Sequence, residues 1–293
     1  MIGLLNVDKP MGLTSAAVVG RLRRSSGEKR VGHGGTLDPR ATGVLPVFFG
    51  RSTVLAEHLS AQGKSYRGEM VLGWTSTTDD AEGHLTAAPL PAGITADVVA
   101  ATLATFVGEH RQAPPAYSAV KIDGRRSYAR ARQGESPRPA LRTVSLKDAR
   151  LRDLSHEPGG LRAVVDVDCG PGFYVRALAR DLGRALGGGG YLDALRRTRV
   201  GELCVDEAIG LDAAEALGGA VAEILASPLA AVGSLLEVQV RPEDEGRLAH
   251  GMDVEAPGAG SGRAFARGVG DRVLAVGEVV GGRFRPHRLV DLG

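Results

Sequence analysis

The stretch from Gly32 to Pro46, GHGGTLDPRATGVLP, limits what the chain around it can become. Gly32, Gly34 and Gly35 open backbone conformations closed to other residues. Pro39 fixes its own φ and steers Asp38 away from helix. A rigid turn presenting the Asp38 side chain is therefore expected. In isolation an Asp-Pro step in a glycine-rich loop is a turn cap. Here it runs directly into Val44, Leu45, Val47, Phe48 and Phe49, which read as core. A carboxylate at the edge of such a region is partly desolvated and needs a cation beside it to stay ionised.

With 293 residues, the chain exceeds the usual ~100 to 200 of one domain and can bury a sizeable core. The formal charge is only +2, and the cations are almost all Arg, with Lys at 9, 29, 64, 121 and 147 alone. That bias suits phosphate recognition and equally suits a GC-rich genome, so it decides little. Cys169 and Cys204 lie far apart without CxxC or His spacing, so neither a disulfide framework nor a metal site is expected. The start, MIGLLNVDKPMG, has no basic leader and no long apolar run. No stretch reaches the ~18 apolar residues of a membrane span, so a cytoplasmic protein is expected.

Gly3 to Val7 reads as a strand, and Thr14 or Ser15 caps a helix bearing Val18, Val19 and Leu22 that ends near Gly27. Its end is rich in cations: Arg21, Arg23, Arg24, Lys29 and Arg30. These favour the helix dipole and also offer phosphate contacts. In KSYRGEMVLGW, 64 to 74, Tyr66, Met70 and Leu72 share one face of a half-buried strand, so Tyr66 points inward. TSTTDDAEG, 75 to 83, reads as a loop, and Thr95 opens an amphipathic helix. The segment PPAYSAVKIDGRRSYARAR, 114 to 132, interleaves tyrosines with Lys121, Arg125 and Arg126, a pattern for base stacking and phosphate contact or simply a solvated basic face.

Strands are expected at about 142 to 154 and 161 to 169, then a helix over GFYVRALARDLGRALG with Val175, Leu178, Leu182 and Leu186 inward. Arg176 falls at that helix's start, where a cation opposes the dipole and calls for a carboxylate; Asp38 is the candidate partner. A helix around Tyr191 to Arg197 and Ala-rich helical sequence to about Gly233 follow. Residues 233 to 293 change character, with short strand-like runs between Gly-rich turns, and read as a separate β-rich domain after a first domain over 1 to 232.

Together, LLNVDKPMGLTS, VGHGGTLDPRATGVLPV, KSYRGEMVLG, the 114 to 132 segment, GFYVRALARDLG and LRRTRVG (195 to 201) resemble, in order, the bacterial tRNA pseudouridine-55 synthases of the TruB family. The resemblance covers the first domain, and the last stretch resembles the family's small PUA RNA-binding domain. It implies an α+β fold, a mixed and largely antiparallel sheet with flanking helices. It further implies an enzyme that binds the T arm of tRNA, flips the T-loop uridine and isomerises it to pseudouridine with neither cofactor nor metal; a monomer is expected.

Residue by residue, the resemblance makes Asp38 the nucleophile, at ribose C1′ or uracil C6. It makes Tyr66 the tyrosine against the base and a candidate for removing the C5 proton, and Arg176 the partner of Asp38. His33 becomes the histidine entering the T loop, Tyr174 a substrate contact and Leu195 a wall of the base pocket. Lys9-Pro10 matches a motif expected to brace the active-site loop. Phe173, Thr77 and Leu203 depart from the family pattern without removing a catalytic group. A non-catalytic RNA-binding or tRNA-folding protein on the same fold is the alternative. His33-Gly34-Gly35 resembles an esterase oxyanion loop, but no G-x-S-x-G nucleophile accompanies it.

Overall fold

A computed structural model of the chain describes residues 1–117 and 140–290, together with the backbone of 121–122 and 125–126. The chain forms two compact units, Met1–Gln62 with Arg199–Gly293, and Gly63–Thr198.

In the first unit, Gly3–Lys9 pairs antiparallel with Thr42–Phe49 along its whole length, from Gly3 opposite Phe49 to Lys9 opposite Gly43. Both faces of this pair are buried, which is why the second strand reads as an unbroken apolar run. Leu5, Val7, Leu45, Val47 and Phe49 pack against Val18 and Leu22 of the helix Ser15–Ser26. Leu4, Val44 and Phe48 face Leu55 and Leu59 on the other side. The helix begins where Thr14 Oγ1 accepts the Ala17 N–H at 3.0 Å and stops at Gly27, whose φ of 73° is left-handed.

The C-terminal stretch builds a sheet of its own in the spatial order Leu236–Gln239, Gly262–Arg267, Val273–Val280, Arg283–Leu289, Val254–Glu255. One side closes over Val238, Leu248, Ala264, Leu274 and Phe284. From the other, Phe265, Val273, Val276 and Val290 complete the core begun by Leu4, Phe48, Leu55 and Leu59. The expected β-rich character is therefore present, and this sheet is packed onto the N-terminal strands.

The second unit is an antiparallel ladder. Lys64–Leu72 pairs with Gly160–Cys169, which pairs with Arg142–Glu157, which pairs with Gly108–Gln112. Gly190–Val200 flanks Lys64–Leu72 on its other edge. Helices Ala96–Ala104 and Val175–Ala185 accompany the ladder. The expected apolar stripe is observed, with Val175, Leu178, Leu182 and Leu186 buried; complete burial of each leucine contributes about 1.5–3 kcal/mol.

The glycine run after this helix is a tight crossing. A Cβ at Gly183 would lie 2.2 Å from the Gly189 carbonyl carbon, and one at Gly190 2.2 Å from the Ala179 oxygen. That crossing delivers the chain into the sheet, so Tyr191 to Arg197, expected as helix, is part of the strand Gly190–Val200. The spacing of Leu192 and Leu195 fits a helical turn, but pairing beside Lys64–Leu72 overrides it. The Ala-rich region likewise holds only a short α-helix, Leu211–Ala216. Gly218, Gly219 and Pro228 break the rest into 3₁₀ turns. The expected loop 75 to 83 is mostly the tip of a hairpin, 77 to 84, whose strands, Trp74–Ser76 and Leu85–Ala87, pair antiparallel. No described helix is long and apolar enough to cross a membrane.

Candidate active site

In the first unit, the loop carrying Asp38 is pinned from beneath. Lys9, at the end of its strand and fully buried, directs Nζ at the carbonyls of Leu13 (2.7 Å), Pro10 (2.9 Å) and Pro39 (3.2 Å). An ammonium has three N–H groups, and three carbonyls meet them. Ser15 Oγ takes both polar groups of the neighbouring residue, accepting from Leu37 N at 2.8 Å and donating to Leu37 O at 3.1 Å. The Gly12 N–H reaches Pro39 O at 2.8 Å, and Ala41 N–H closes onto Asp38 O at 3.1 Å. Leu37 and Ala41 are buried while Asp38 between them is half-buried, so the backbone is fixed on both sides of the carboxylate.

The glycines upstream have separate causes. Gly35 has φ 125°, and a Cβ on Gly34 would meet the Phe48 ring at 2.9 Å. His33 ends the short strand Val31–His33, opposite Val47 and half-buried. Lys9 thus braces the loop as expected, through the carbonyl oxygens of Pro10, Leu13 and Pro39.

In the second unit, Lys64, Tyr66 and Gly68 lie on one face of their strand. Tyr66 is 9% exposed, opposite Val167, and Arg197 of the adjacent strand hydrogen-bonds to it. Burial pushes the Arg197 guanidinium down from its ordinary value, and Tyr66 pulls it back up. Lys64 is pushed down to about 8, first by burial and then by the Arg197 charge. A Cβ on Gly68 would touch Leu192 Cδ1 at 3.2 Å, Val175 Cγ1 at 3.4 Å and Leu195 Cδ1 at 3.8 Å, so the missing side chain leaves room beside Leu195 two residues from Tyr66.

Arg176, on the first turn of its helix, donates to Asp80 Oδ2 at 3.0 Å, Thr78 O at 3.3 Å and Tyr117 O at 2.9 Å. Arg180, one turn on, donates to Asp79 Oδ2 at 2.7 Å and Ala113 O at 3.0 Å. The hairpin tip is therefore bolted to the helix, with Asp79 held at φ 60° and its carbonyl accepting Leu192 N–H at 3.1 Å. Burial pushes the Asp79 carboxyl up and the Arg180 charge opposes it. The carboxylate required at this helix start is present as Asp80, a residue read from the sequence only as part of a polar loop. Tyr174 precedes the helix, clamped by Gln112, whose amide donates to its carbonyl at 3.2 Å and accepts its N–H at 2.9 Å.

Tyr66, Tyr174, Arg176 and Leu195 thus belong to the second unit, and His33 and Asp38 to the first. The side chains of Lys121, Arg125 and Arg126 lie outside the described residues; their backbones form a two-residue pairing, Lys121 opposite Arg126. Arg21, read as a phosphate contact, is engaged by Asp212 and Glu215. Lys64 and Arg197 were given no role by the sequence reading. The period of a strand marks Lys64, since it shares the inward face of Tyr66. Among the described residues no group of three or more His, Cys, Asp or Glu is placed to hold a metal ion.

A profile of the N-terminal domain of TruB family pseudouridylate synthases matches residues 23–175, which takes in His33, Asp38, Tyr66 and Tyr174. The chain is 44% identical over 265 residues to tRNA pseudouridine synthase B of Paenarthrobacter aurescens (strain TC1), covering 88% of this chain and 83% of that one. It is 39% identical over 291 residues to the protein of the same name from Azoarcus sp. (strain BH72), covering 98% and 94%. The chain belongs to the TruB family of pseudouridylate synthases. The fold agrees with solved structures. A Cbf5-Nop10-Gar1 complex matches with TM-score 0.72 at 25% identity, over 99% of this chain and 84% of that one. An H/ACA RNP bound to a substrate RNA containing 2'-deoxyuridine matches with TM-score 0.72 at 24% identity, over 99% and 85%. For a TruB family member, the α+β, largely antiparallel architecture is the expected one, and Phe173 sits buried beside the Tyr174 clamp.

Proposed function

We propose that this chain isomerises the T-loop uridine at position 55 of tRNA to pseudouridine. Family membership carries the reading, and the clamped Asp38 loop supports it, since a nucleophile must be held still before it can attack. The base is flipped out of its loop, at a cost of a few kcal/mol, because inside the stack its glycosidic carbon is out of reach. The C1′–N1 bond breaks with Asp38 as nucleophile, at C1′ or at C6, the uracil turns, and a C1′–C5 bond forms. The C5 proton then leaves to Tyr66 and N1 takes up a proton from solvent.

In this reading Arg176 pairs with Asp38 while Asp80 holds Arg176, His33 enters the T loop, and Tyr174 and Leu195 contact the flipped nucleotide. Lys121, Arg125 and Arg126 contact phosphates, residues 233–293 form a PUA-like RNA-binding domain, and the protein works as a cytoplasmic monomer. Tritium release from a tRNA transcript labelled at uridine C5 tests the reaction, with Asp38→Asn alongside. Release confined to one T-loop uridine and abolished in the variant, with tRNA binding retained, is expected. Tight binding without release from either protein would replace the enzyme by an RNA-binding protein.

A further inference from the structure

Next to Tyr66 the second unit buries positive charge that its ladder does not need for pairing. Lys64 shares the face of Tyr66 two residues away, and Arg197 is 1% exposed on the adjacent strand. The groups around them include Cys169, whose sulfur sits 3.6 Å from Lys64 O. A guanidinium has donors and no acceptor, so in the Arg197–Tyr66 hydrogen bond the phenol oxygen accepts and its own proton points elsewhere. Of the two cations, Lys64 gives up its proton near pH 8. Arg197 keeps its charge more readily, because a delocalised guanidinium tolerates burial better than an ammonium. The sheet thus presents to the Tyr66 oxygen one durable, rigidly held positive charge.

We propose that Arg197 is a positioning residue for the isomerisation, fixing the Tyr66 oxygen by its hydrogen bond and favouring the phenolate that removes the C5 proton. The proposal rests on the reading of Tyr66 as that base. In the step, Tyr66 has first released its proton to solvent. The C5–H bond of the rotated, C1′-attached uracil breaks and the proton passes to the phenolate oxygen. The C5–H electron pair closes the C5–C6 double bond as C6 releases either its π pair to N1, which takes a proton from solvent, or, where Asp38 had added at C6, the Asp38 carboxylate. When Tyr66 accepts the proton it gives up the charge–charge part of its interaction with Arg197, and the hydrogen bond to the neutral phenol oxygen remains.

The test is single-turnover conversion of tRNA carrying hydrogen or deuterium at C5 of the target uridine, by the full-length protein and by Arg197→Met, Arg197→Lys and Tyr66→Phe. Circular dichroism and tRNA binding establish that each variant is folded. Arg197→Met is expected to slow conversion by about 10- to 100-fold, the size of one hydrogen bond to a charged group. A primary deuterium effect larger than that of the unaltered protein should accompany the loss, because proton removal has become slow. Arg197→Lys keeps a cation and should recover part of the rate; it also carries the test alone if the Met variant does not fold. An unchanged rate, or a slower rate with an unchanged isotope effect, overturns the proposal. If the isotope effect rises in Tyr66→Phe but in neither Arg197 variant, Tyr66 stands as base and Arg197 is only structural. If it fails to rise in Tyr66→Phe, the base assignment itself falls, and this inference with it.

Discussion

Lys64→Met is predicted to make the protein more stable at neutral pH and to flatten its stability between pH 8 and 10. The Lys64 ammonium titrates near 10.5 when exposed and near 8 in the folded chain, with burial as the main cause. The unfolded chain therefore binds this proton more tightly, so the group contributes stability above its unfolded value and loses it as pH falls through 8. Integrating the difference gives a gain of about 2 kcal/mol for the unaltered protein between pH 8 and pH 10, and about 3 kcal/mol over the full range. Met has similar length and no charge, so Lys64→Met should show none of that gain. Urea unfolding of both proteins at pH 7, 8, 9 and 10, compared as differences so that other titrating groups cancel, measures it. Curves that run parallel across this range would refute the burial of Lys64 as a destabilised cation.

Lys9→Met leaves the carbonyls of Pro10 and Leu13 without their donor. It should cost about 2–5 kcal/mol in urea unfolding and slow turnover more than tRNA binding, since it loosens the Asp38 loop; equal effects on both would mean Lys9 serves folding alone. Arg180→Met removes the guanidinium hydrogen-bonded to Asp79 inside the protein, leaving only the charges of Arg176 and Arg184 to act on it, and should cost about 3–5 kcal/mol, with Asp79→Asn added to it recovering part of the loss in a double-mutant cycle. Affinity for tRNA should fall steeply as salt is raised, as expected when phosphate contacts supply binding, and a flat response between low and moderate ionic strength would exclude that.

What the sequence made legible was local. The turn around Asp38, the inward face of Tyr66, Met70 and Leu72, and the apolar stripe of Val175, Leu178, Leu182 and Leu186 each follow from residue type and period. The strand Gly190–Val200 escaped because its leucines fit a helical turn, and only the glycine crossing at Gly183 and Gly190 decides the matter. Asp79 and Asp80 escaped for another reason. Their partners Arg180 and Arg176 stand about a hundred positions away, and no periodicity connects a hairpin tip to a distant helix.

The buried cations separate folding from function. Lys9 is matched by carbonyls and Arg180 by Asp79, so each has a structural reason to be where it is. For Lys64 and Arg197 the cost of burial is direct. Burial weakens the hold of both on their protons, and the charge of Arg197 further weakens that of Lys64. Two like charges brought together out of water oppose folding, and apolar residues of similar size would serve the ladder better. Under the proposal above, the cost of burying Arg197 is offset in function by its hydrogen bond to Tyr66. If Lys64→Met stabilises the fold while Arg197→Met slows only the proton-transfer step, the cost and its return will have been measured in the same few residues.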